Sequence, residues 1–223
     1  MEISKSIATY LKDRDPELRY ASFDYCYNYF KSFHDYSKVN EIALQKNLQM
    51  SCLQLGFYLA SWGMFRGSAF LLKKSAKHFE SLVKEIATMD NSLWEIDVDS
   101  YTDTNIDLII DSKQRIRSNI GNSTENASDT LISKIMLGVF GNVPAFDDYF
   151  CKGFAIKKSL TKDNLRLIKK FYRNYGDEID SHNIRTIDFH TGNETDKFYT
   201  IAKVIDMVGF IEGMKTKRLS NKY

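Results

Sequence analysis

Between Ile132 and Phe150 the chain reads ISKIMLGVFGNVPAFDDYF. This apolar run carries one lysine, stops at a glycine, turns through a proline and restarts on two carboxylates. Lys134 and Asp147 are the residues there that could do chemistry. A lysine amine can add to a carbonyl carbon to form a Schiff base, and a carboxylate fixed nearby can stabilise the cation that develops. The same residue types also make a well-capped corner between two core helices. Gly141-Asn142 suits a helix C-terminus and Pro144 the first position of the next helix. Asp147 and Asp148 then fall in a first turn, where carboxylates meet the positive end of the helix dipole. The spacing leaves both readings open.

A second stretch, Trp62-Gly63-Met64-Phe65-Arg66-Gly67-Ser68, sets an arginine between two glycines. Glycine permits close backbone approach, so Arg66 could be presented to a phosphate; the structural alternative is tight helix packing with Arg66 paired to an internal carboxylate. Trp62, Arg66 and Tyr149 are the residues expected to bind a substrate, with Lys134 and Asp147 as the catalytic pair.

The Lys134 corner resembles the helix-hairpin-helix DNA glycosylases. In those, a lysine on a helix is followed by a proline-led turn bearing an essential acid. Lys134 and Pro144-Ala145-Phe146-Asp147 stand at the matching positions, with Thr130-Leu131-Ile132-Ser133 where that family carries a Gly-x-Gly hairpin. The likeness covers about a tenth of the chain. It implies a nucleic-acid-processing enzyme with Lys134 as nucleophile and Asp147 as electrostatic stabiliser. Separately, SWGMFRGSAFLL and LGVFGNVPAFDDYF are similar to stretches of a bacterial all-α protein family, a likeness that brings no activity with it.

Other chemistry is thinly signalled. Arg185 and His190 match the Arg-x4-His spacing of HEPN-type ribonucleases, but in a strand-like segment. No histidine pair has metal-ligand spacing on a helix, so no metal is expected. Asp97, Asp99 and Asp103 alternate without the glycine or closing glutamate of an EF-hand and read as solvated acids. No phosphate loop, nucleophile elbow or dinucleotide fingerprint occurs, and no cofactor is implied. The lysines at 73, 74, 77 and 84, and the basic run from 157 to 173, read as solvent faces unless two of them flank one groove.

These residues must be positioned by helices. Of 223 residues 43% are hydrophobic, while only two prolines and 11 glycines punctuate the chain, which favours long helices over a β fold. Asp15-Pro16-Glu17 predicts a helix start, followed by Tyr20, Phe23, Tyr27 and Phe30 on one face. A helix is expected over Val39 to Trp62. Another should set Leu72, Ala76, Phe79, Val83 and Ile86 on one face, and a further one should end at Gly121. Residues 91–104 and 121–129 read as loops that could divide two lobes. NIRTIDFH is an isolated strand-like fragment. A core helix is expected from Thr195 to about Lys217.

The sum is an all-α fold, one compact domain of about eight to ten helices over 1–223. A net charge of +2 argues against blanket coverage of nucleic acid or anionic membrane. Three scattered cysteines in apolar settings, with no signal-peptide core or membrane-length apolar run, predict a cytoplasmic protein. The expected function is a helical binding or regulatory protein whose partner is a protein, a nucleic acid or a second copy of itself; the alternative is the glycosylase-like enzyme.

Overall fold

The computed structural model describes residues 1–121 and 126–220, with side chains through Thr216. Residues 122–125 of the expected 121–129 loop lie outside the described residues. Nine α-helices are present among those described: α1 (Ile3–Lys12), α2 (Ala21–Asp35), α3 (Gln45–Ser61), α4 (Glu80–Ile86), α5 (Asp103–Ile120), α6 (Asp129–Phe140), α7 (Asp148–Phe154), α8 (Lys162–Asp180) and α9 (Ile201–Ser220). A two-stranded antiparallel hairpin, β1 (Arg185–Ile187) and β2 (Glu194–Phe198), precedes α9. The all-α class and the helix count agree with the sequence. Among the described residues no helix is long and apolar enough to cross a membrane.

Helix α6 sits at the centre. Every residue from Thr130 to Phe140 is buried, as expected of a helix that is apolar on all sides. Helix α9 is its counterpart, buried from Ala202 through Ile211. Close approach needs glycine at two crossings. A methyl at Gly138 would stand 2.5 Å from the Tyr58 ring of α3, and one at Gly213 of α9 would collide with the Tyr149 carbonyl at the start of α7.

Several local expectations are corrected. Asp15 does not cap a helix: its carboxylate accepts the Glu17 amide in a turn, and α2 begins only at Ala21. The Val39 segment is a short 3-10 turn before α3. The helix expected from Leu72 forms only in its second half, as α4 with Val83 and Ile86 buried; its first half is two 3-10 turns, whose tighter winding buries Leu71 while leaving Leu72 56% exposed. The acidic connection after Met89 is not a purely surface one, since Leu93, Trp94, Val98 and Tyr101 are buried. Thr195 lies in β2, pairing the strand-like fragment that looked isolated, so the last helix starts six residues later than expected.

Candidate functional site

The corner forms as a strapped loop. Gly141 ends α6 in the left-handed region, φ 71°, where its amide reaches back to the Met136 and Leu137 carbonyls. Pro144 does not open the next helix. Residues 142–146 run between elements and are tied on three sides. The Asp206 carboxylate of α9 accepts the Ala145 amide at 3.0 Å. Ser133 Oγ accepts the Phe146 amide at 2.9 Å, and Thr130 Oγ1 donates to the Phe146 carbonyl at 2.9 Å. The Tyr101 hydroxyl donates to the Asn142 carbonyl at 2.6 Å.

Asp147 then caps α7, one oxygen accepting the Tyr149 and Phe150 amides at 3.0 Å each. Its other oxygen accepts a hydrogen bond from Lys134 Nζ at 3.0 Å. Lys134 is only 3% exposed. An apolar helix accommodates it because its ammonium is paired and also lies 5.2 Å above the Trp62 ring.

Beneath Trp62 lies a second charge centre that the sequence reading missed. Lys203, 1% exposed, donates to Tyr10 Oη at 2.9 Å and to Asp206 Oδ2 at 3.1 Å. Its ammonium sits 4.6 Å from the Phe23 ring centre and 5.5 Å from that of Trp62. Burial pushes the Asp206 carboxyl up, against the pull of the Lys203 ammonium. The signal was available: Lys203 and Asp206 are charges three residues apart in the most apolar part of the last helix.

All five sequence-predicted site residues line one cleft of about 700 Å³ between the end of α3, the first half of α6 and the start of α7. Lys134 and Asp147 form its floor, with Leu71 and Leu131 beside them. Tyr149 packs edge-on against Phe210, 5.3 Å between ring centres. Trp62 is not a free stacking platform. Tyr20 stacks on it at 5.4 Å, and Arg19 also lies over the ring at 5.4 Å. Arg66 stands at the rim, exposed and folded back over Gly63, where a methyl would stand 2.7 Å from its Nε. The expected alternative, pairing with an internal carboxylate, does not occur: among the described residues no hydrogen bond or ion pair engages its guanidinium. Lys158, absent from the sequence reading of the site, adds a further rim cation, paired with Asp148 at 2.8 Å.

No known protein family, curated protein or solved structure matches the chain.

The remaining candidates are absorbed elsewhere. Arg185 lies on β1 with its guanidinium 5.2 Å from the Phe198 ring, and His190 sits in the hairpin turn organised by Asp188. Asp97 is no solvated acid: it caps α9 by accepting the Ile201 and Ala202 amides at 2.6 and 2.9 Å. Burial pushes its carboxyl up to about 7 despite those donors. Asp103 pairs with Arg166. Among the described residues no group of three or more His, Cys, Asp or Glu side chains could hold a metal ion. Within the basic stripes Lys77 and Lys84 pair with Glu80, Lys158 with Asp148 and Lys162 with Asp107.

Proposed function

We propose that the chain is a cytoplasmic helical binding or regulatory protein, and that the cleft over Lys134 and Asp147 holds its ligand without covalent chemistry. The observation that supports this most is the state of the floor. The Lys134 ammonium is paired with Asp147 at 3.0 Å, and Asp147 is itself engaged by two amides. A protonated amine in such a pair has no lone pair for a carbonyl, whereas a preformed open cleft needs no rearrangement to take a ligand. A second support is an apolar groove of about 630 Å³ on the outer side of α3, where Leu18, Leu53, Phe57 and Phe189 are 53, 44, 71 and 67% exposed. Exposed apolar surface of this kind is what a binding protein presents to a protein partner or a second copy.

The nucleic-acid-processing reading keeps one observation in its favour: Lys134 and Asp147 do share a cleft. It requires the ion pair to open and the proton to pass to the carboxylate before attack.

One experiment separates the two. The full chain is incubated with abasic-site, duplex and single-stranded oligonucleotides and with RNA under borohydride, and its intact mass is measured. In parallel, ligand-induced thermal shifts from a fragment set are compared between wild type and Ser68→Trp, which fills the cleft mouth. The binding reading predicts no adduct and shifts that Ser68→Trp abolishes. An adduct lost in Lys134→Ala establishes the enzyme reading instead.

A further inference from the structure

Three charge relationships in the cleft decide what it recognises. On the floor Lys134 is neutralised by Asp147, and on the rim Lys158 by Asp148. Arg66 alone among the cleft's described cations has no carboxylate against it. An uncompensated guanidinium beside a concave surface attracts an anion, and its planar fork matches two oxygens of one oxyanion better than any neutral group. The Lys158–Asp148 pair is exposed on both sides, 50 and 72%, so the contact is weak and Lys158 can turn to an incoming anion. Between these charged groups the partly exposed side chains of Met64 and Phe70 give the cleft an apolar zone, while Leu71 and Leu131 are only 1 and 4% exposed. A ligand filling both zones has an anionic head and a hydrophobic body.

We propose that the cleft binds a small organic molecule bearing a carboxylate or phosphate, with Arg66 gripping the oxyanion, Lys158 assisting, and the apolar body lying on Met64 and Phe70. This rests on the reading that the cleft is the ligand site, and it names the ligand's chemistry. Oligomeric nucleic acid fits less well, since a strand needs a run of cations and the described lining of the cleft offers three, Arg66, Lys134 and Lys158, of which Lys134 is buried and held on Asp147.

The test is calorimetric titration of the full chain with phenyl phosphate, benzoate and benzyl alcohol, three probes that share a ring and differ in the head. Wild type, Arg66→Ala and Lys158→Ala are compared after their melting temperatures show that each is folded. Both substitutions are at exposed side chains, so folding is expected to survive. The proposal predicts at least tenfold tighter binding of an anionic probe than of benzyl alcohol, weakening as salt is raised. It also predicts that Arg66→Ala removes that preference while benzyl alcohol binding stays unchanged. Stronger binding of phenyl phosphate, with its advantage reduced in Lys158→Ala, identifies a phosphate head; stronger binding of benzoate identifies a carboxylate. Equal affinity for neutral and anionic probes, or an anion preference that persists in Arg66→Ala, overturns the oxyanion assignment and leaves the cleft a binding site. Binding of none of the three overturns both.

Discussion

Lys134 Nζ lies 3.0 Å from Asp147 Oδ2, while Asp147 Oδ1 accepts the Tyr149 and Phe150 amides in the first turn of α7. One carboxylate therefore fixes the start of a helix and neutralises a lysine buried in another. The two residues lose different things when changed, and that asymmetry can be measured.

Asp147→Asn keeps a good helix cap but leaves the Lys134 ammonium buried without its counter-charge. We expect a loss of roughly 2 to 4 kcal/mol. Lys134→Met removes the buried charge and leaves an Asp147 that still has two amides and some water; its cost is expected to be under about 1.5 kcal/mol. Urea denaturation of both variants checks the order. An equal or reversed order would show that the pair is not what holds the lysine.

Asp24 gives the fold a pH dependence. Its carboxylate is fully buried, with neither oxygen in a hydrogen bond among the described residues. The Tyr199 hydroxyl is near enough to ease its ionisation, as are Arg14 and Lys203, yet burial outweighs them and pushes it up to about 7. An unfolded aspartate titrates near 3.9, or roughly pH 4. Between those values the folded chain holds a proton that the unfolded chain releases, so this contribution is full below about pH 4 and is lost as pH rises towards about 7. Asp97, also pushed up to about 7, acts in the same direction. Asp24→Asn should flatten part of the slope and raise stability near pH 8 by on the order of 2 to 4 kcal/mol. Urea unfolding at about pH 5 and about pH 8 reads this out, and an unchanged slope would contradict it.

Asp97 is the cap of α9, and α9 carries Lys203 and Asp206. Asp97→Ala removes the acceptor of the Ile201, Ala202 and Val98 amides. A loss of about 2 kcal/mol is expected, with Asp97→Asn losing less than half as much. Amide exchange of the first turn of α9 should accelerate in the alanine variant only.

Gly138→Ala drives a methyl to 2.5 Å from the Tyr58 ring at the crossing of α3 and α6. The Tyr58 ring is fully buried and has little room to move, so a cost of about 1 to 3 kcal/mol is expected from thermal unfolding. Gly213→Ala, which meets backbone instead of a ring, should cost more.

Much of this architecture could be read from residue types. The apolar stripe of α6, the Gly141 cap and the neighbourhood of Lys134 and Asp147 all follow from a segment of some twenty residues, because local signals set local structure. What escaped detection depends on distant partners or on small changes in winding. Leu71 replaces Leu72 in the core because 3-10 turns shift the period by a fraction of a residue per turn. Strand β2, ETDKF, shows no apolar alternation because both its faces are partly wet. The Lys203–Asp206–Tyr10 centre brings Lys203 to Tyr10, 193 positions away, and no local pattern reports such a meeting.

Whether a ligand sits in the cleft over Lys134 and Asp147 is read by amide and indole NMR of the full chain, titrated with a mixed set of neutral and charged fragments. The Trp62 indole N–H is buried and unbonded among the described residues, as is that of Trp94. Trp62 lines the cleft, whereas Trp94 stacks on His34 elsewhere in the core. Binding fragments should move the Trp62 indole signal and the amides of Gly63, Arg66 and Tyr149 while leaving the Trp94 indole in place. Fragments that move only signals outside the cleft, or that bind without disturbing Trp62, would contradict this placement of the ligand.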